Sequence, residues 1–98
     1  MKPLTPTQRQ FLKSLAHRLQ PVVMIGNQGL TAAVLKEIEQ SLSAHELIKI
    51  KAATDDVDTR NAWMEEICAS SRAAPVQQIG KVMVIYRPAA ISAITLPK

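Results

Sequence analysis

The stretch Val22-Val23-Met24-Ile25-Gly26-Asn27-Gln28-Gly29-Leu30-Thr31 decides the fold, because a short apolar strand runs through two glycines into the start of a helix. Glycine has no Cβ, so Gly26 and Gly29 permit positive φ and a close approach of another backbone, and Asn27 between them tolerates left-handed geometry. The first turn of a helix leaves backbone N–H groups unpaired at the positive end of its dipole, which suits a phosphate. The corner is therefore either a phosphate-binding loop or a tight turn without a ligand.

The composition fits one small domain. The chain has 98 residues, of which 47% are hydrophobic, enough for one compact core and too few for two. We predict a single domain over residues 1–98, with an ordered core at about 4–88 and a C-terminal tail at 89–98. Twelve Lys and Arg against eight Asp and Glu give a net charge of +4, so a polyanion is a plausible partner, although charge alone does not identify one.

The rarer residue types exclude several classes of protein. One cysteine cannot form an internal disulfide, and with two scattered histidines it offers no zinc-ligand spacing. We therefore expect no metal, no cofactor and a reducing, cytoplasmic compartment. No apolar run approaches the length of a membrane span, and the first residues lack the apolar core of a signal peptide, so we expect neither membrane insertion nor export.

Hydrophobic spacing predicts two helices around the first strand. Thr5 or Thr7 caps the first helix, which ends before Pro21. Its apolar face holds Phe11, Leu12, Leu15, Ala16 and Leu19. The four successive apolar residues 22–25 favour a strand that is covered on both faces or lies inside the sheet. Thr31 begins the second helix, whose inward side chains are Val34, Leu35, Ile38 and Leu42.

The second half of the chain predicts two more strands and a hairpin. In residues 46–52 Ile48 and Ile50 alternate with Lys49 and Lys51, so the two lysines share one sheet face. A third helix begins within residues 54–58 and has an apolar stripe made of Trp63, Met64, Ile67 and Cys68. Residues 76–79 and 82–87 form a hairpin through Gly80-Lys81. The predicted fold is α/β, a helix followed by βαβαββ, with a small mixed four-stranded sheet packed with helices.

An enzyme is the first competing class, and its usual motifs are missing. The glycine pair lacks the lysine and hydroxyl that follow in a P-loop. Asp55, Asp56 and Asp58 are better explained as helix-start chemistry than as a calcium loop. No Cys-His or Ser-His arrangement stands out, although distant residues can converge in a fold. We expect a protein without catalytic activity.

Several spaced motifs together resemble one known family. They are Leu12 to His17, Pro21 to Thr31, Ala44 to Lys51, Gln78 to Lys81 and Ile85 to Pro88, in this order. The pattern is similar to the CRM domain, the chloroplast RNA splicing and ribosome maturation family, and runs from about Leu4 to Pro97. Among its members the chain resembles the bacterial single-domain, YhbY-type RNA-binding proteins. It departs from the family at residues 70–75, where members often have a glycine, which leaves the end of the third helix open.

The resemblance implies a fold, a partner and a set of contacts. The family fold is similar to the C-terminal domain of bacterial translation initiation factor three with an added N-terminal helix, and it is KH-like in its Gly-x-x-Gly loop. Bacterial members look like assembly factors that associate with ribosomal RNA of a precursor large subunit. The implied RNA-binding positions are the loop residues Gly26, Asn27, Gln28 and Gly29, and the basic residues Lys13, Lys49, Lys51, Arg60, Lys81 and Arg87.

Each of these positions also has an ordinary structural interpretation. Lys49 and Lys51 are equally typical of a solvated sheet face, and Arg9, Lys13, His17 and Arg18 of the polar side of an amphipathic helix. Tyr86 is the sole candidate for stacking on a base, and it is as readily a sheet residue packed on one side. We expect a monomeric, non-enzymatic RNA-binding protein. The alternative is a protein-protein adaptor that uses the sheet face or the apolar tail.

Overall fold

The computed structural model describes residues 3–98 and contains three helices and four strands in the predicted order. Their bounds are α1 Pro6–Ala16, β1 Pro21–Ile25, α2 Ala32–His45, β2 Leu47–Ala52, α3 Val57–Ser71, β3 Ala74–Ile79 and β4 Val82–Tyr86. The strands form one mixed sheet, in which β1 and β2 are parallel while β4 pairs antiparallel with both β2 and β3. The predicted α/β class, with a helix before βαβαββ, is confirmed.

The sheet order is β1-β2-β4-β3, so β1 lies at an edge. This contradicts the expectation that residues 22–25 form a strand inside the sheet or covered on both faces. Val23 and Ile25 are buried, but Val22 and Met24 point away from the core and are 44% and 60% exposed. A continuous apolar run indicates a strand without specifying its neighbours, and the second face of β1 stays largely exposed to solvent among the described residues.

Two apolar clusters occupy the two faces of the sheet. Ile38 and Leu42 of α2 and Met64 and Ile67 of α3 pack on one face, with Trp63 and Cys68 beside them. On the other face, Leu12 and Ala16 of α1 pack against strand residues; these are Leu47, Ala74, Val76, Val84 and Tyr86. The helices thus sandwich the sheet, α2 and α3 on one side and α1 alone on the other.

The apolar face of α1 is narrower than its spacing suggests. Leu12 and Ala16 are buried, whereas Leu15 is 40% exposed. Leu19, which the spacing placed in the same helix, lies beyond its end at Ala16 and is 37% exposed. One helix spans only part of a four-stranded sheet, so residues on its flank lie over open surface.

Side-chain caps fix the helix starts at the residues that the sequence indicates. Thr5 caps α1 in a reciprocal capping box with Gln8, and the Thr31 hydroxyl accepts a hydrogen bond from the Val34 N–H at the start of α2. Asp56 caps α3. At the segment where the family pattern left the end of α3 open, the helix ends at Ser71 and Arg72 turns the chain with a φ of 58°.

The C-terminal tail is docked on the body although it has no helix or strand. The Glu46 carboxylate accepts hydrogen bonds from the Ala89 N–H at 2.9 Å, the Ala93 N–H at 2.8 Å and the Ser92 hydroxyl at 2.6 Å. Ile94 and Leu96 then pack against the α1 cluster. The buried side chain of Glu46 therefore acts as an anchor for residues 89–93.

Candidate nucleic-acid interface

The glycine corner forms a tight turn that projects from the end of β1. The Gly29 N–H donates to the Gly26 carbonyl at 3.0 Å, and the Thr31 N–H donates to the Gly29 carbonyl at 3.0 Å. Asn27 and Gln28 at the tip are exposed, and within residues 3–98 their backbone N–H groups have no hydrogen-bond partner. The turn uses the Gly29 amide for itself and leaves the two amides at its tip free.

Gly26 and Gly29 differ in backbone conformation and in what surrounds them. Gly29 has a φ of +72°, and a Cβ built on it would lie 3.5 Å from Cζ2 of Trp63. Its conformation therefore disfavours any L side chain. Gly26 does not have a positive φ, and a Cβ there would meet nothing within 4 Å. The protein's own packing does not require Gly26, so its missing side chain leaves the surface open to something outside the chain.

Three connections meet at the sheet end that carries the turn. The Ala53 N–H donates to the Ile25 carbonyl at 2.9 Å, and the Ala52 N–H donates to the Lys81 carbonyl at 2.7 Å. The chain after β2 and the β3–β4 hairpin turn therefore lie at the same end as residues 26–29. Arg60 joins them, because its Nη1 donates to the Thr54 carbonyl at 2.9 Å.

Arg60 and Lys81 are both engaged within the protein. The Lys81 ammonium lies 2.9 Å from the carboxylate of exposed Asp55, and this hydrogen bond, with the charge of Lys81, lowers the pKa of Asp55. The Nε of Arg60 is buried and has no partner among the residues that the structure describes. A bound polyanion would compete with Asp55 for Lys81.

Lys49 and Lys51 lie on the sheet face that α1 covers in part. Along one row of the sheet Lys51 sits between Met24 and Val82. Val82 pairs in turn with Ile79, whose side chain is 62% exposed. The face is therefore open near the glycine turn, and the prediction that both lysines share one face is confirmed.

Between α1 and this open half of the sheet lies a groove of about 660 Å³. One wall carries Lys13 of α1 together with His17 and Arg18, which follow the end of this helix. The sheet wall includes Lys49 and Gln77. Lys13 and Lys49, which the family resemblance singled out separately, thus face the same groove. No pattern in the sequence indicates that Gln77, Ile79 and Val82 line this groove, because their positions depend on β4 lying between β2 and β3.

Tyr86 does not present a ring face to solvent. It is 1% exposed and packs in the α1 cluster, where burial raises the pKa of its hydroxyl. The prediction that Tyr86 stacks on a base is therefore wrong for this fold, and the alternative of a packed sheet residue is the better description.

Arg87 lies far from the glycine turn and is engaged within the protein. It follows the end of β4 that is opposite the glycine turn, and its guanidinium donates to the Glu39 carboxylate, the Ser71 carbonyl and the Ser43 hydroxyl. Only 20% of its side chain is exposed. Arg87 joins α2 to the end of α3, so its charge is already paired within the protein and lies away from the glycine turn. Its contact with RNA stays a prediction.

Other reactive groups do not form a site. Residues 3–98 contain no group of three or more His, Cys, Asp or Glu side chains that could hold a metal ion. Burial raises the pKa of the Cys68 thiol to about 11, so the thiol is protonated at neutral pH. No helix in the described part of the chain is long and apolar enough to cross a membrane.

Comparisons with a family model and with known proteins agree with one another. The CRS1 / YhbY (CRM) domain model matches residues 4–87. The chain is 49% identical over 98 residues to an "RNA-binding protein" of Haemophilus influenzae, covering 100% of this chain and 99% of the relative. It is 46% identical over 84 residues to the "Probable RNA-binding protein PA4753" of Pseudomonas aeruginosa, covering 86% and 81%.

A solved structure has the same fold. The solution structure of the hypothetical protein SAV1595 from Staphylococcus aureus superimposes with a TM-score of 0.84 at 35% identity, covering 96% of this chain and 99% of that one. The domain model matches most of the chain, over residues 4–87, and the chain belongs to the CRS1/YhbY (CRM) domain family.

Proposed function

We propose that this protein binds RNA without catalysing a reaction, gripping the sugar-phosphate backbone with the turn Gly26–Gly29 and the cationic groove beside it. The observation that carries the proposal is the open surface at Gly26. Among residues 3–98, no atom lies within 4 Å of the place where its Cβ would stand, and the adjacent tip offers two backbone amides without a partner there. Backbone N–H groups in a glycine turn before a helix are suited to bind phosphate oxygens.

Cations of the groove and of the adjoining sheet face supply the second part of the grip. Lys13, Lys49 and Lys51 make no salt bridge with any carboxylate of the described residues, so their charges are available to phosphates. Contacts of this kind position an RNA without reading its sequence. Binding should therefore weaken steeply with salt, and shape should select the target.

For the partner we propose ribosomal RNA in a precursor of the large subunit, bound in the cytoplasm by a monomer. The family resemblance supports this choice of RNA, and relatives that are named RNA-binding proteins support RNA as the partner. Sedimentation of a cell lysate tests it, because we expect the protein to travel with particles of the size of large-subunit precursors. Protein that remains entirely at the top of the gradient would refute a stable ribosomal association.

The loop is tested by placing negative charge at its tip. The double variant Asn27→Asp with Gln28→Asp should fold normally, because both side chains are exposed, and should bind RNA more weakly through repulsion of phosphates. The matched control is Gln40→Glu with Ala69→Glu, which adds the same charge at exposed positions of α2 and α3 outside their first turns. Equal RNA affinity of the two folded double variants across a salt series would show that the loop does not touch RNA.

An apolar surface supports the alternative that the protein is an adaptor. A second groove of about 450 Å³ lies on the other flank of α1 and is lined by the exposed apolar side chains Leu15, Leu19 and Val22. Ile94 of the docked tail forms part of its wall. An adaptor that used this surface would bind a protein with little dependence on salt, which separates it from RNA binding in the same titration.

A further inference from the structure

We propose that the groove between α1 and the sheet holds one unpaired nucleotide of the bound RNA, with its base against the sheet and its phosphate on Lys13 and Lys49. This inference rests on the proposed RNA-binding function and specifies which kind of RNA element that function selects.

The groove is large enough for a nucleotide, and its floor suits the face of a base. Its volume of about 660 Å³ lies within the range of roughly 300–1,000 Å³ that is typical of small-ligand sites. The floor is apolar, because Val82 and Val84 of the central strand β4 and Ile79 of β3 line it. A flat, largely apolar base face can cover these side chains and remove them from water.

The chemistry of the walls fits a nucleotide better than an uncharged ligand. Lys13, Arg18 and Lys49 bring cations to the rim and His17 adds an imidazole, and none of the described residues that line the groove is Asp or Glu. The imidazole of His17 and the guanidinium of Arg18 are also planar groups, and such groups stack on unpaired RNA bases. The rim can thus hold a phosphate and cover the base at the same time.

Gln77 supplies a group that can read the edge of the base. Its side chain lines the groove beside Val84, and within residues 3–98 its amide has no hydrogen-bond partner. An amide offers one acceptor and two donors, which can pair with the edge of a base. Its neighbour Gln78 differs in both respects, because it donates to Asn61 of α3 at 3.0 Å on the opposite face of the sheet.

The base must be unpaired in order to enter. A base inside an A-form helix is stacked on both faces and exposes only its edges, so the apolar floor could not contact it. A bulged or looped nucleotide has already lost its partner, and the cost of extruding it is lowest there. The neighbouring backbone would then continue to the glycine turn, which lies at the same end of the sheet as Ile79 and Val82.

The test uses RNA hairpins that differ at one position. Five hairpins of equal stem length are compared, one fully paired and four with a single bulged A, C, G or U. We expect the wild-type protein to bind at least one bulged hairpin about tenfold more tightly than the paired one, and the four bulges to differ by about fivefold or more. Gln77→Met should remove the differences among the four bulges, whereas Gln78→Met should retain them. Thermal unfolding verifies that both variants fold.

The outcomes separate this inference from the proposed function. If the wild-type protein binds paired and bulged hairpins equally, and the double variant Asn27→Asp with Gln28→Asp binds both more weakly, the RNA-binding function stands and the nucleotide site is refuted. If Gln77→Met keeps the preferences among the bulges, Gln77 does not read the base. Failure of the wild-type protein to bind any of the five hairpins at low salt would overturn both proposals.

Discussion

Replacing each glycine of the corner with alanine should separate folding from RNA binding. Gly29 adopts a φ of +72°, so Gly29→Ala places a Cβ in the left-handed region at a cost of roughly 1–2 kcal/mol. The contact with Trp63 at 3.5 Å is an ordinary van der Waals distance and adds no clash. Alanine also restricts the unfolded chain, which offsets about 0.4–1 kcal/mol, so we expect a net loss of roughly 1 kcal/mol.

Gly26→Ala should have the opposite profile. Its new methyl group meets no atom within 4 Å and the backbone φ is not positive, so we expect the free energy of unfolding to stay the same or rise by a few tenths of a kcal/mol. The methyl group would, however, stand on the surface that the RNA backbone approaches. We expect RNA affinity to fall about five- to tenfold, which corresponds to about 1.0–1.4 kcal/mol.

Two measurements on the same samples decide the matter. Urea unfolding can be followed by fluorescence of Trp63, the one tryptophan of the chain, which packs against Gly29 and therefore reports on the corner itself. RNA affinity is measured by fluorescence anisotropy with a labelled hairpin at fixed salt. Gly26→Ala that folds normally and binds as tightly as the wild type would refute a close approach of RNA at this glycine. Gly29→Ala with undiminished stability would contradict the turn geometry.

Three further predictions concern charges and the thiol. Lys51→Ala should reduce the slope of log affinity against log salt by about one unit, while Arg72→Asn, which removes an exposed charge at a left-handed position, should leave the slope unchanged in the same titration. Glu46→Gln should lower stability by about 1 kcal/mol in urea unfolding at pH 7, because a charge-assisted anchor of the tail is lost. Hydrogen bonds from Ser92 and the tail backbone lower the pKa of Glu46 below its ordinary 4.5, so this stabilisation is complete above pH 4.5 and disappears as the pH falls through the lowered value; wild type and variant should converge there. Cys68, with its pKa raised from 9.0 to about 11, should form thiolate about a hundredfold less than an ordinary thiol, so a thiol reagent at pH 8 should label it rapidly only after unfolding.

Local signals in the sequence predict the elements of this fold well. Thr31 and Asp56 start helices because their side chains accept hydrogen bonds from amides two or three residues ahead, an interaction that involves neighbours in the chain alone. The alternation of Ile48 and Ile50 with Lys49 and Lys51 likewise follows from the pleat of a single strand. Such features need no knowledge of which elements are neighbours in space.

The errors arise where distant segments meet. The apolar run at residues 22–25 does not reveal that β1 has one neighbour, and residues 82–87 do not reveal that α1 and the tail cover Tyr86. Arg87 looks like a free cation in sequence, yet Glu39 and Ser71 are distant in the chain and close in the fold. Gln77 became a candidate only through its register opposite Val84.

The structure divides the predicted basic residues by what each cation already contacts. Arg87 and Arg60 hold protein carbonyls, and Lys81 pairs with Asp55, so using these charges for RNA means breaking contacts that the fold makes. Lys13, Lys49 and Lys51 have no carboxylate partner in the described residues, and RNA gains their charge without that loss. Removing Arg60 or Arg87 should therefore reduce stability, whereas the exposed Lys81–Asp55 pair contributes little. Removing a cation of the second kind should mainly reduce the salt dependence of binding. Under the proposed function, the free lysines beside α1 therefore contribute more to RNA affinity than the basic residues whose charges the protein already uses.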